Sequence, residues 1–316
     1  MADIRLEKIY KKYDLDTLGV EDISLEMKDG SLTTFVGMAG SGKSTVFHLI
    51  GGIVDVTSGE VYFDGVPVTN LPPKKRDVCL MRAGYNAVSG SVYDNVSYGL
   101  RLRGLPRAEV YRRTAEAIKL VGLNGKEKVK MKKLTELERR LTSLARGVAR
   151  KPAVFLIDEP YFNVSDEDRL EIAKAIKRVH DNGLTIIIAD SFGHNAFLCG
   201  GRVVVFRDGR VIQTGDEKSL NAQPLNMFVA SYLGENPMSF IEREEDIIGF
   251  RSNDCSVGEG EYEGKVESEE NGVLTVRIKD GEPPVRVSGK GNIGDKIRFE
   301  IHTFVRFCKE DGRLLK

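Results

Sequence analysis

The chain has 316 residues, 41% of them hydrophobic, and its 47 basic and 47 acidic side chains give a formal net charge of zero. This length predicts two domains, and the balanced charge lacks the basic excess that favours a nucleic-acid partner. The chain shows no apolar run of the ~20 residues that a membrane helix needs, no signal-peptide pattern and no metal-type spacing of its four cysteines. We therefore expect a cytoplasmic protein in a reducing compartment, with no nucleic-acid partner.

The first predicted elements are strands. Residues 4–27 alternate between apolar and polar side chains, and the Lys-Asp-Gly turn at 28–30 leads into a short apolar strand at 33–36.

A glycine-rich loop follows that strand. Residues 37–45 read GMAGSGKST, and the apolar-rich residues 46–50 come next. Strand, loop and helix start in this order are typical of a loop that binds a nucleoside triphosphate, because backbone N–H groups at the helix start point at the phosphates. Lys43 is expected to reach the β- and γ-phosphates, and Ser44 to bind Mg²⁺. The predicted nucleotide-binding residues of the loop are Gly37, Met38, Ala39, Gly40, Ser41, Gly42, Lys43, Ser44 and Thr45.

A second predicted element of the same site is a buried strand that ends in two carboxylates. Residues 153–160 read AVFLIDEP. Asp158 is expected to hold Mg²⁺ through water, and Glu159 to orient or deprotonate the water that attacks the γ-phosphate.

Helices and strands alternate through this region. The pattern predicts an amphipathic helix over 107–122, a second helix over 165–179 and a buried strand over 184–189. Such alternation predicts an α/β fold with a parallel sheet and a ligand at the strand C-termini. From about residue 236 only short strand-like runs remain, with a hairpin turn at Asn271-Gly272, so a small all-β barrel is predicted after the α/β domain.

With these motifs in view, the chain resembles the ATP-binding subunits of ABC importers, most closely the sugar-importer ATPases of the maltose and glycerol-phosphate type. Further segments that carry the resemblance are VTSGEVYFDG at 56–65, LPPKKRDV at 71–78, SVYDNVSYGLRLRG at 91–104, RDGRVIQTG at 207–215 and FVASYLGENPMSF at 228–240.

The resemblance implies a RecA-like P-loop ATPase core at 1–235 with a helical subdomain at about 84–150. An OB-like (TOBE-type) regulatory β-barrel is implied at 236–316. It also implies ATP and Mg²⁺ as cofactors, and as partners a second ABC ATPase subunit, two membrane permease subunits and an extracytoplasmic solute-binding protein. The chain would then lie at the cytoplasmic face of the membrane, and residues 85–103 would receive a helix of the permease.

Tyr13 matches the family aromatic that stacks on adenine, although a half-buried strand residue is an equally good interpretation. Other positions depart from the family pattern. The family has LSGGQ at the start of a helix, and this chain has Thr135, Glu136, Leu137 and Glu138 after Leu134. Two carboxylates are expected to face a phosphate there, which is repulsive at short range.

The departures continue at two other loops. Ala83 falls where the family has a glutamine, and Asp190 and Ser191 fall where it has a switch histidine. His194 is a less favoured substitute for that histidine, and Asp166 and Asp168 are interpreted as helix N-terminal charges.

Two functional hypotheses follow. The chain is either a working importer ATPase subunit for a sugar or polyol, favoured here as the weakened half of a heterodimer, or a catalytically silent nucleotide-binding regulatory subunit. A translation or DNA-repair ATPase is disfavoured, because the chain has neither a second cassette nor a long coiled-coil insertion.

Overall fold

The computed structural model describes residues 2–14, 16–82 and 88–315. Its contacts divide the chain into two compact units, Met1–Asp216 and Glu217–Lys316. Among the described residues, no helix has both the length and the apolar character needed to cross a bilayer.

The first unit contains two sheets and five helices in the described ranges. Its strands are β1 (Ile4–Lys12), β2 (Leu18–Met27), β3 (Leu32–Val36), β4 (Ser58–Phe63), β5 (Val66–Pro67), β6 (Val78–Met81), β7 (Val154–Asp158), β8 (Thr185–Asp190), β9 (Arg202–Arg207) and β10 (Arg210–Gly215). Its helices are α1 (Lys43–Ile50), α2 (Val92–Leu102), α3 (Arg107–Val121), α4 (Glu136–Ala149) and α5 (Asp166–Asp181).

The larger sheet has the strand order β10-β9-β3-β8-β7-β6, and only β10 runs antiparallel to its neighbour. β3, β7 and β8 are buried almost throughout, as expected of parallel strands that are covered on both faces. The smaller sheet, β2-β1-β4-β5, is antiparallel.

Two apolar cores cover the two faces of the larger sheet. On one face, α1 packs with residues of both sheets, and the Phe35 ring lies 5.8 Å from that of Phe47 and 5.0 Å from that of Phe206. On the other face, α2 to α5 form the second core. The three helices α2, α3 and α4 all fall between β6 and β7, in the region predicted as a helical subdomain.

The second unit begins with two short helices, α6 (Glu217–Ala222) and α7 (Met227–Tyr232). Its strands are β11 (Ser239–Glu242), β12 (Ile247–Phe250), β13 (Cys255–Glu270), β14 (Val273–Arg277), β15 (Val285–Ser288), β16 (Lys296–Ile301) and β17 (Val305–Phe307). They form two antiparallel sheets, β11-β12-β17 and β15-β14-β13-β16.

This unit begins earlier than the boundary predicted at 236, because α7 packs with the chain end. The Met227 N–H donates to the Gly312 carbonyl at 2.9 Å, and Ala230 shares a small core with Met238 and Phe307. The strands after 236 agree with the prediction, and so does the tight turn between β13 and β14, where Asn271 and Gly272 have φ of 53° and 78°. The OB-like assignment stays a prediction.

Candidate functional site

Three neighbouring strands of the larger sheet end at the same edge and place the predicted motifs side by side. β3, β8 and β7 are parallel, with Val36 opposite Asp190 and Asp158 opposite Ala189. The glycine-rich loop, the Asp158-Glu159 pair and the loop after Asp190 therefore leave the sheet together, at the edge where α/β proteins bind ligands.

Two glycines shape the loop between β3 and α1. Gly42 precedes the helix in the left-handed region with φ 103°, where a side chain is strained. A Cβ at Gly37 would lie 2.3 Å from the carbonyl oxygen of Phe206, so only glycine fits against β9. No side chain caps the start of α1, which leaves its first N–H groups directed into the loop.

Lys43, the first residue of α1, lies inside this loop. Its side chain is buried, and Nζ donates to the carbonyls of Gly37 at 2.6 Å and Met38 at 3.0 Å and to the Ser41 hydroxyl at 3.2 Å. These three acceptors hold the ammonium group at the centre of the loop.

Burial lowers the pKa of Lys43, and the nearby carboxylates of Glu159, Asp190 and Asp158 oppose that shift. Burial also raises the pKa of Asp158, and the charge of Glu159 adds to that effect. Acid and base groups at this edge of the sheet are thus electrostatically coupled.

The loop lines a cavity of about 290 Å³ that also reaches Tyr13. The Tyr13 ring is 47% exposed, and its hydroxyl lies 3.3 Å from Oγ1 of Thr45. Tyr13 is therefore half-buried, but it lies one residue after the end of β1 and not within the strand. The lining residues are Tyr13, Leu18, Gly19, Ala39, Gly40, Ser41, Gly42, Lys43, Ser44, Thr45 and Ser191.

Leu18 and Gly19 were not predicted from the sequence. A Cβ at Gly19 would approach Cε2 of Tyr13 to 2.8 Å, so the absence of a side chain at Gly19 makes room for the ring. No sequence pattern marks this contact, because it brings a residue of β2 against the residue that follows β1.

Asp158 carries the clearest sign of a cation site. Its Oδ1 is buried and has no hydrogen-bond partner within the described residues, a costly arrangement for a carboxylate. Ser44, the second residue of α1, lines the cavity with a hydroxyl. A carboxylate and a hydroxyl beside a phosphate site fit Mg²⁺, which takes oxygen ligands and keeps several waters.

Glu159 lies directly after β7 with an unusual backbone conformation. Its φ is 52°, and its N–H donates to the Ala189 carbonyl at 2.8 Å. The two oxygens of its carboxylate accept hydrogen bonds from Ser191, one from the backbone N–H at 3.2 Å and one from the hydroxyl. Ser191 therefore fixes the Glu159 carboxylate at the cavity wall.

Asp190 is fully buried and binds its own loop. Its Oδ1 accepts from the Phe192 N–H at 2.8 Å and from Nδ2 of Asn195 at 3.0 Å, and Oδ2 has no partner within the described residues. Burial raises the pKa of Asp190 to about 6. Ser191 and His194 were both expected near the position of the family's switch histidine. Ser191 lines the cavity. His194 is not among the lining residues, and its ring lies 5.6 Å from the ring of Phe192.

The first turn of α4 corrects one expectation. Glu138 does not point outward: its carboxylate accepts from the Thr135 N–H at 3.0 Å and pairs with Lys126, while the Thr135 hydroxyl accepts from the Glu138 N–H at 3.2 Å. This capping box makes Thr135 and Glu138 stabilise the helix. The carboxylate of Glu136 lies 3.0 Å from Nε of Arg140, so neither charge is unpaired.

The other residues predicted from the sequence lie at helix starts, in the helical core and in the undescribed segment. Ser165 caps α5, and Asp166 and Asp168 lie in its first turn, as interpreted from the sequence. Leu137 packs against the helical core. Ala83, where the family has its glutamine, lies in 83–87, outside the described residues.

The fold is α/β, with a GxxxxGKST loop at a helix start and an acidic pair on a neighbouring strand. These features define the class of phosphate-loop nucleotide-binding proteins. Residues 20–162 match the family model described as ABC transporter. The oligosaccharides import ATP-binding protein MsmX of Bacillus subtilis is 33% identical over 82% of this chain and 72% of its own length. This chain belongs to the ATP-binding proteins of ABC transporters.

Two further comparisons agree. The osmoprotective compounds uptake ATP-binding protein GgtA of a Synechocystis species is 33% identical over 77% of this chain and 68% of its own length. The structure of cbiO1 from Clostridium perfringens, described as part of the ABC transporter complex cbiONQ, is 28% identical with a TM-score of 0.65, over 69% of this chain and 90% of that one.

Proposed function

We propose that this chain binds ATP and Mg²⁺ in the 290 Å³ cavity and couples them to the import of a small solute. The observation that carries the proposal is the pairing of a buried, loop-bound Lys43 with an unpartnered buried oxygen of Asp158 at the neighbouring strand end. A magnesium triphosphate would neutralise the buried Lys43 charge, whose hydrogen bonds are all to uncharged groups, and its cation would give the Asp158 oxygen a partner.

Each residue has a role in this proposal. The N–H groups of the loop and Lys43 bind the phosphates, Tyr13 stacks on the base, and Ser44 and Asp158 hold Mg²⁺. When bound, the cation neutralises phosphate charge. Glu159 orients the attacking water, and Ser191 keeps its carboxylate in place.

A sugar or polyol is the proposed solute. The support is the names of two relatives, one for oligosaccharides and one for osmoprotective compounds. The solute itself would contact a binding protein and two permease subunits, which would hold this chain at the cytoplasmic face of the membrane.

The surface around α2 fits a permease helix. Leu102 is 71% and Tyr98 40% exposed, and both line a groove of about 510 Å³ whose other side carries Arg146 and Arg150. An amphipathic helix from a membrane subunit could bury these apolar side chains.

We further propose that the chain is the weaker half of a heterodimer with a second ABC ATPase. In this family each site combines the phosphate loop of one subunit with the signature of the other. Here the first turn of α4 carries the carboxylates of Glu136 and Glu138, and the Thr135 N–H already donates to Glu138, so this turn brings negative charge where the family has glycine N–H donors. The alternative is a catalytically silent nucleotide-binding regulatory subunit of the same kind of complex.

Calorimetry with ATP and Mg²⁺ tests the proposal. Lys43→Ala removes a charge-assisted contact of ~1.5–3 kcal/mol, so ATP affinity should fall about tenfold to a hundredfold. Lys28→Ala, which changes an exposed lysine at the end of β2, serves as the matched control and should leave affinity unchanged. Equal ATP affinity in the wild type and Lys43→Ala would contradict the site.

A further inference from the structure

A second cavity lies in the first unit, away from the phosphate loop. It has a volume of about 650 Å³ and is enclosed by α3, the C-terminal ends of α4 and α5, and the segments that lead into β7 and β8. Ligand-binding pockets in proteins span roughly 300–1,000 Å³, so this cavity has room for a small organic molecule.

The cavity floor is apolar. It is formed by Ala117 and Leu120 of α3, Val148 and Ala149 of α4, and Pro152. Except for the partly buried Leu120, these side chains are buried within the fold, and the cavity exposes only one side of them. Such a floor favours a ligand with an apolar body.

The rim is basic. Arg113, Lys119, Lys151 and Arg178 line it, against the single carboxylate of Glu116. Arg113 pairs with Glu109, and Lys151 with Glu116 at 3.9 Å. Within the described residues, the rim charges without a carboxylate partner are those of Lys119 and Arg178. The excess of positive charge selects an anion.

Cations near helix C-termini can also serve only to complement the helix dipoles. Arg178 does this directly, donating to the carbonyls of Leu120 at 3.2 Å and Val121 at 3.3 Å. Lys119 differs, because its ammonium makes no hydrogen bond or ion pair within residues 2–14, 16–82 and 88–315. An exposed, unpaired lysine above an apolar floor is suited to bind an anionic group on a ligand.

We propose that this cavity binds a small amphiphilic organic anion, with its apolar body on the floor and its carboxylate, sulfonate or phosphate group at Lys119. This site goes beyond the proposed function and does not depend on it, because it shares no lining residue with the nucleotide cavity.

The test uses 8-anilinonaphthalene-1-sulfonate as the probe and its uncharged analogue N-phenyl-1-naphthylamine as the matched comparison. The full chain should bind one sulfonate probe, about tenfold more tightly than the uncharged analogue, and saturating ATP should not displace it. Equal affinity for the two probes, or displacement by ATP, would overturn the proposal.

Charge reversal then locates the probe. Lys119→Glu should weaken sulfonate binding about tenfold and abolish the preference over the uncharged analogue. Arg107→Glu makes the same charge change on α3 roughly 18 Å along the helix, outside the cavity, and should change binding little. If Lys119 only complements the helix dipole, Lys119→Glu will lower the melting temperature and leave probe affinity unchanged, which would also overturn the proposal.

Discussion

The contact between Ser191 and Glu159 gives Ser191 a testable role. Both oxygens of the Glu159 carboxylate are engaged, one by a backbone N–H that any residue supplies and one by a hydroxyl that serine supplies. In its proposed role, the Glu159 carboxylate must be held close to its productive position, so we expect the hydroxyl to act as a positioning group for Glu159.

Ser191→Ala should therefore lower kcat for ATP hydrolysis about tenfold and leave KM for ATP unchanged, because the phosphate contacts stay intact. Ser191→Thr keeps the hydroxyl and should retain most of the rate. The measurement is steady-state ATP hydrolysis by the assembled transporter, with Glu159→Gln as the inactive reference. If Ser191→Ala hydrolyses ATP at the wild-type rate, the Ser191 hydroxyl does not position Glu159.

Asp190 makes stability depend on pH. Burial raises its pKa from the ordinary value of 3.8 to about 6. Between these two values the unfolded chain loses the proton and the folded chain keeps it, so this group makes stability fall as pH rises from about 4 to about 6. The loss of stability caused by ionised, buried Asp190 is absent below pH 3.8 and reaches its full value of about 3 kcal/mol above pH 6.

Asp190→Asn cannot ionise and should lack this cost while keeping an oxygen for the Phe192 and Asn195 donors. The free energy of unfolding of the variant, relative to the wild type, should rise by up to about 3 kcal/mol between about pH 4 and pH 7. Denaturant titrations of the nucleotide-free chain at several pH values measure this difference. A constant difference across the range would mean that Asp190 does not titrate as described.

At the scale of elements, α4 begins with a capping box formed by Thr135 and Glu138. Thr135→Ala removes the acceptor for the Glu138 N–H and should destabilise the chain by ~1 kcal/mol. Thr135→Ser keeps the cap and should be nearly neutral. The measurement is the urea midpoint of unfolding of the wild type, Thr135→Ala and Thr135→Ser. An unchanged midpoint in Thr135→Ala would show that the cap does not stabilise α4.

The elements that the sequence predicted are those with strong local signals. The apolar runs of β7 and β8 identify strands buried on both faces, and Gly122, with φ 87°, ends α3 as predicted. The phosphate loop and the acidic pair were also recognisable, because their chemistry requires fixed residue types at fixed spacing.

Tertiary contacts set the limit of this prediction. Ser191 and Glu159 are 32 residues apart, and Glu138 turns toward Lys126 because the chain before α4 folds beside it. The packing of α7 with Gly312 likewise joins distant segments and moves the unit boundary. None of these pairs has a local pattern in the sequence.

At the scale of the whole molecule, the heterodimer proposal predicts how the isolated chain behaves with ATP. In that proposal, closure of two subunits would place each signature helix over the partner's γ-phosphate. In a homodimer both interfaces would carry Glu136 near a phosphate, which opposes closure even though Arg140 pairs with that carboxylate. The chain with Glu159→Gln, in which ATP should persist longer if Glu159 has its proposed role, should therefore remain monomeric in ATP and Mg²⁺.

The same chain should form an ATP-dependent dimer when three signature changes are added, Glu136→Gly, Leu137→Gly and Glu138→Gln. These changes remove both carboxylates from the start of α4. Glu138→Gln leaves an amide oxygen to complete the cap. Glu167→Gly, which removes an exposed carboxylate from the first turn of α5, is the matched control and should stay monomeric. Sedimentation velocity with and without ATP distinguishes the two masses. Dimerisation of the Glu159→Gln chain without the signature changes would show that two copies of this chain close on ATP, and the heterodimer proposal would then be wrong.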